Sequence, residues 1–202
     1  MSKFENLTNE ELDILREMGN IGVGNASTAL ATMLGRPINI TVPEVYLLKF
    51  SNLDKVIKPD EIVVGTVVGL STIDNDNSGF LYMIFPQDSP NKLAELLIGD
   101  SSDESMVEST IMEISNILAS HFCDGIANML DTVLIPTPPS YAKDYSVAVI
   151  DALLAQIADR TDNLIIFETD LVDQDNAVDI LLMLIPTEKF FEYIMQLLEM
   201  VK

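Results

Sequence analysis

Apolar positions repeat at two different periods along this chain. From Leu12 to Leu34 they recur at helical spacing. Thr8-Asn9-Glu10-Glu11 has the form of a capping box, in which the Thr8 hydroxyl accepts the Glu11 amide and the Glu11 carboxylate reaches back. Gly35 offers a left-handed C-terminal residue and Pro37 blocks continuation, so one long helix is expected to end there. Ile38 to Phe50 reads as extended, with a break at Pro43. Glu61 to Leu70 is a β-rich run, Asp74 to Asn77 a turn, and Ser78 to Phe85 a second strand, together a hairpin. Ser89-Pro90 predicts an N-cap with proline at the first helical position, and a short helix to about Ile98 stopped by Gly99.

The second half follows the same order. Ser105-Met106-Val107-Glu108 has the form of a second capping box, opening a helix to about Leu130. A break at Pro136, Pro138 and Pro139 follows, and Tyr145 to Ile157 fits helix and strand alike. Leu164 to Val172 and Asp179 to Ile185 read as strands around an acidic turn, and Thr187 caps a last amphipathic helix to about Val201. Phe80 to Pro86 matches Ile180 to Pro186 at an offset of 100, and the long helices match at an offset of 96. The expected fold class is α+β: a single domain over 1–202, internally duplicated, with repeats at about 8–99 and 105–202. Each copy has one apolar sheet face to bury. Joining the copies into one antiparallel sheet covered by helices does so most simply, and it makes a monomer the expected state.

Composition narrows the function classes. The 202 residues carry 11 Lys and Arg against 32 Asp and Glu, a formal charge of −21. That balance argues against nucleic acid, which needs a basic stripe, and against anionic membrane surfaces. The N-terminus lacks a basic then apolar leader pattern, and the uncharged run from Met18 to Gly35 is too rich in Gly, Asn, Ser and Thr for a span. A cytoplasmic protein is expected. One cysteine excludes an intramolecular disulfide, and one histidine excludes a histidine-rich metal site.

A stripe of non-core residues runs along the first long helix: Asp13, Glu17, Asn20, Gly24 and Ser27. Glu17 and Asn20 are neighbours at i and i+3, with about 4.5 Å of rise between them. The second long helix repeats the stripe as Ser109, Glu113, Asn116, Ser120 and Cys123. Asn20 is followed by 22 residues and then Pro43; Asn116 is followed by 22 residues and then Pro139. Both copies therefore read [Asp/Ser]-x3-Glu-x2-Asn-x22-Pro.

On these residues the chain resembles the chemotaxis phosphatases of the CheC/CheX/FliY family, and the CheC type in particular, which carries the pattern twice. The resemblance extends from Asp13 to the last helix. It implies an α+β fold with an internal pseudo-two-fold, and hydrolysis of the aspartyl-phosphate of a CheY-like response regulator. It places the catalytic pairs at Glu17 with Asn20 and Glu113 with Asn116. Asp13, Gly24, Ser109 and Ser120 on the same stripes are read as partner-binding, with support of the pairs the other reading of Asp13 and Ser109. The regulator would supply Mg²⁺ and the acceptor carboxylate, so no metal or cofactor of the chain's own is implied. What is missing is orientation of a water. An amide is a poor base, but its carbonyl can aim a water at phosphorus, as a positioned Gln does in GTPases. The glutamates would pair with the regulator's active-site lysine. The deamidase CheD is implied as a second partner. The alternative is a noncatalytic regulator-binding module of the flagellar switch type, which intact Glu/Asn pairs disfavour.

Other conspicuous residues read as structural. The glycines at 19, 22 and 24 each cost about 1 kcal/mol in a helix interior and suggest close helix packing; Gly-Asn-Ile-Gly-Val-Gly lacks the lysine of a phosphate loop. His121 is expected as a packed or boundary histidine and Cys123 as a structural thiol. The acidic turns at 74–76 and 170–179 lack the order of a calcium loop, and Pro43 and Pro139 direct the chain into the sheet.

Overall fold

The computed structural model describes residues 7–41, 44–49, 61–73, 75–86, 88–149, 151, 163–173 and 178–200. Helix α1 spans Asn9–Leu34. Its capping box forms as expected: Glu11 N–H donates to Thr8 Oγ1 at 3.2 Å, and Thr8 N–H donates to Glu11 Oε2 at 2.7 Å. Gly35 closes it at φ 64°. Strands β1 (Asn39–Ile40) and β2 (Glu44–Lys49) follow, with the expected break at Pro43 outside the described residues. β3 (Ile62–Thr72) and β4 (Asn75–Pro86) form the hairpin.

Three local expectations are corrected. The hairpin turn is tighter than Asp74 to Asn77, because Asn75 already pairs with Thr72 across an irregularity in register. Helix α2 (Ser89–Ile98) takes Asp88 as its N-cap, without a side-chain cap bond, and Ser89 instead accepts the amide of Asp179 at 3.1 Å. Helix α3 (Glu104–Leu130) starts at Asp103, two residues before the expected cap; the Asp103 carboxylate takes both the amide and the hydroxyl of Ser105, at 2.9 and 2.8 Å.

After α3 come β5 (Ile135–Pro136), β6 (Ser140–Tyr145) and helical residues at 146–149, where the ambiguous segment begins; most of that segment lies outside the described residues. β7 (Asn163–Asp173), β8 (Val178–Pro186) and helix α4 (Glu188–Met200) complete the order, with Thr187 Oγ1 accepting the Phe190 amide at 3.3 Å.

Among the described residues all pairings are antiparallel, in one eight-stranded sheet ordered β1-β7-β8-β4-β3-β5, with β2 also on β7 and β6 also on β3. This is the expected α+β class. The two apolar runs matched in the sequence, in β4 and β8, lie side by side at its centre. Tyr82 opposes Met183 and Met83 opposes Leu182, the register an internal two-fold would produce there. One sheet face, with Val64, Val68, Leu81, Met83, Phe85, Leu182 and Leu184, packs into a single core with α1, α2, α3 and α4. The opposite face carries a smaller cluster that includes Tyr82, Ile84, Met183 and Val149. Gly65 makes room there: a Cβ would stand 2.4 Å from Val149 Cγ1.

The two long helices pack directly on one another. A Cβ on Gly22 would meet the buried Phe122 ring at 2.7 Å, and one on Gly125 would meet Asn25 Nδ2 at 2.5 Å and the Ile21 carbonyl at 3.0 Å. The cost of glycine in a helix thus returns as close backbone approach at Gly22. Gly24 differs, since a Cβ there would meet nothing within 4 Å.

Candidate active site

Helix geometry fixes how each stripe meets the solvent. On α1, Asp13 and Glu17 are exposed, Asn20 and Gly24 are half-buried, and Ser27 is buried. On α3, Ser109, Glu113 and Asn116 are exposed, Ser120 is half-buried and Cys123 is buried. The fifth position of each stripe is therefore core: Ser27 corrects the expectation of a non-core stripe, and Cys123 is the structural thiol expected. Residues spaced 4-3-4-3 advance at 3.5 per turn on a 3.6-residue helix, so the row drifts about 40° over its length and rolls under. Asn20 is partly covered, whereas Asn116 at the same step of its row is exposed.

Both Glu/Asn pairs thus lie side by side on accessible helix surface rather than in a cavity. Among the described residues, none hydrogen-bonds to the side chain of Glu17, Asn20, Glu113 or Asn116. Their neighbours are tied down within their own helices. Asp13 pairs with Arg16 at 3.0 Å, an exposed pair that contributes little to stability. Ser109 donates to the Ser105 carbonyl at 2.9 Å and Ser120 to the Asn116 carbonyl at 2.8 Å. One turn beyond the amide, each helix is therefore flat: Gly24 has no side chain and the Ser120 hydroxyl folds back.

Ion pairs join both helices to the sheet near their ends. Arg36, after α1, pairs with the buried Asp173 of β7 at 3.3 Å. Near the start of α3, exposed Glu104 pairs with Lys143 of β6 at 2.5 Å, which lowers the glutamate's pKa through the hydrogen bond and the charge. Burial pushes the Cys123 thiol up to about 12, with the Asp124 charge adding to it, so it stands protonated in the core. His121 is exposed rather than packed or at a boundary, and Pro139 is buried. Among the described residues no cluster of His, Cys, Asp or Glu could hold a metal ion, and no helix is long and apolar enough to cross a membrane.

The CheC-like family model matches residues 10–47 and 106–141, the two segments that contain Glu17 with Asn20 and Glu113 with Asn116. The CheY-P phosphatase CheC of Bacillus subtilis is 29% identical over 187 residues, covering 89% of this chain and 88% of the relative. The chain is similar to the CheC-like family over these two segments and to CheC over most of its length. The flagellar motor switch phosphatase FliY of B. subtilis is 26% identical over 143 residues, 68% of this chain and 36% of that longer protein. Among solved structures, Thermotoga maritima FliY superposes with a TM-score of 0.73 at 20% identity, covering 97% of this chain and 99% of that one. A chain of the CheX–CheY–BeF3–Mg²⁺ complex of Borrelia burgdorferi superposes with a TM-score of 0.57 at 18% identity, covering 85% and 96%. At these identities the two solved structures share the fold.

Sequence reasoning missed strand β6, which carries Lys143 beside the start of α3. Five of its six residues are exposed, so it offers no alternation of buried and exposed positions to read.

Proposed function

We propose that this CheC-like chain is a phosphatase that hydrolyses the aspartyl-phosphate of a CheY-like response regulator, using Asn20 and Asn116 to orient water. The observation that carries the reading is the presentation of two Glu-x2-Asn pairs at matching positions of α1 and α3, accessible and without partners among the described residues. The naming of the B. subtilis relatives as phosphatases, one of them for CheY-P, supports the reaction class.

In the proposed reaction one pair docks beside the phosphorylated carboxylate of the regulator. The amide carbonyl holds a water in line with phosphorus. The water oxygen bonds to phosphorus as the bond from phosphorus to the aspartyl oxygen breaks, releasing inorganic phosphate and regenerating the carboxylate. Glu17 or Glu113 anchors the helix through an ion pair with the regulator's lysine, which a binding partner can supply because no described residue hydrogen-bonds to either carboxylate. The regulator contributes Mg²⁺ and the leaving carboxylate; this chain contributes position, the term in which an error of about 1 Å costs on the order of a hundredfold in rate. The flat steps at Gly24 and Ser120 let the partner backbone approach, and Asp13 and Ser109 border the same surface. The deamidase CheD is a second partner in this reading, and the chain acts as a cytoplasmic monomer.

The test is loss of phosphate from a phosphorylated CheY-like regulator. The chain is expected to accelerate it, and Asn20→Ala with Asn116→Ala to remove that acceleration while leaving the circular dichroism spectrum intact. Full activity in the double variant would refute the role of the amides.

A further inference from the structure

A buried polar contact sits directly behind one of the two amides. Thr66 of β3 and Ser115 of α3 are 1% and 0% exposed, and their hydroxyl oxygens are 2.8 Å apart. Both belong to the apolar interior between sheet and helix, where Val64, Val68, Ile114 and Leu118 are core. Burying two hydroxyls in such surroundings is costly unless each finds a partner. A helical serine also has a cheaper local solution, donating to the carbonyl four residues back. Ser109, Thr110 and Ser120 on the same helix all do so. Ser115 instead reaches across to the sheet.

Ser115 immediately precedes Asn116, about 100° around the helix, so one side chain faces the sheet while the next faces the partner. A hydrogen bond from the buried side, unlike apolar packing, is directional and so bears on how α3 is rolled about its axis. On α1 the equivalent position is Gly19, which has no side chain to make such a bond.

We propose that the Thr66–Ser115 hydrogen bond is a positioning device for Asn116: it sets the roll of α3 and thereby the depth to which that amide reaches into the docked regulator. The inference rests on the reading of Asn116 as a water-orienting amide. An amide held about 6 Å from the helix axis moves about 1 Å for a roll of about 10°. That displacement is large enough to cost between tenfold and a hundredfold in a reaction that depends on alignment.

The two matched sites supply their own control. Thr66→Val removes the hydroxyl at nearly constant volume and leaves Ser115 free to donate to the Ile111 carbonyl. Turnover of a phosphorylated CheY-like regulator is measured in an Asn20→Ala background, where Asn116 works alone, and in an Asn116→Ala background, where Asn20 works alone. Thr66→Val is expected to lower kcat about tenfold in the first background with KM within twofold, and to change kcat by less than twofold in the second. Thr66→Ser, which keeps the hydroxyl, should restore kcat. Should Thr66→Val not fold, Ser115→Ala provides the same comparison. The affinity of the Asn20→Ala background for beryllofluoride-activated regulator should stay within twofold on adding either change, which a general loosening of the helix face would not allow. Equal losses in both backgrounds, or no loss where Asn116 works alone, would overturn the positioning role. Turnover persisting in the Asn20→Ala/Asn116→Ala protein would instead overturn the function on which it rests.

Discussion

Two glycines on one helix, less than a turn apart, should respond to alanine in opposite directions. Alanine at either position gains about 1 kcal/mol of helix propensity over glycine. At Gly24 nothing opposes the gain, since the new methyl would meet no atom within 4 Å. Gly24→Ala should therefore stabilise the protein by about 1 kcal/mol. At Gly22 the methyl would lie 2.7, 2.9 and 3.1 Å from three atoms of the Phe122 ring. Ordinary carbon contacts are about 3.5–4.0 Å, so the ring or the helix must move by close to an ångström. Phe122 is 0% exposed and has no solvent to move into. Overpacking of this kind costs about 1–3 kcal/mol. The propensity gain cancels in the comparison, so Gly24→Ala should exceed Gly22→Ala by that whole amount, or roughly 2–12 °C in Tm for a chain of this size. Thermal unfolding followed by circular dichroism reads the difference. Adding Phe122→Leu should shrink the cost of Gly22→Ala, as expected for residues in contact. Equal Tm values for the two alanine variants would refute the close approach of α1 and α3 that holds both amide surfaces.

Two further outcomes follow from titratable groups that burial shifts, Cys123 in the core and the half-buried Glu168. With its pKa pushed up to about 12, Cys123 should resist iodoacetamide at pH 8 in the native protein and react after unfolding; rapid native labelling would contradict its burial. Glu168 is raised to about 7 by burial and then by the charges of Asp170 and Glu44. Between about 4.5 and about 7 the folded state holds this proton more tightly than the unfolded one, so its contribution to stability falls as pH rises through that window. Glu168→Gln should accordingly raise Tm at pH 8 relative to wild type, with the difference vanishing near pH 4; a difference independent of pH would show that the carboxylate is not the cause.

The readable parts of the sequence were those where one local signal had no competitor. Thr8 with Glu11 and Gly35 bounds α1 correctly because no better cap lies nearby. The same reasoning misplaces the start of α3, where Ser105 and Glu108 have the right spacing but Asp103, two residues earlier, accepts both donors of Ser105. Strand β4 begins inside an Asn/Asp run that resembles a turn, because pairing with β3 overrides the local preference. The Glu/Asn pairs stand out through repetition at one offset, which no single helix face would have supplied. The burial of Ser27 follows from angular drift that a count of residues does not register. The Thr66–Ser115 contact joins residues 49 positions apart and leaves no local signature.

The central claim concerns what the two amides do to a phosphorylated partner. The most direct measurement follows radiolabelled phosphate on a CheY-like regulator mixed with wild-type protein, with each single Asn→Ala variant at positions 20 and 116, and with both combined. Acceleration by wild type, partial acceleration by at least one single variant and none by a folded double variant is the predicted pattern. Undiminished acceleration by the double variant would contradict it.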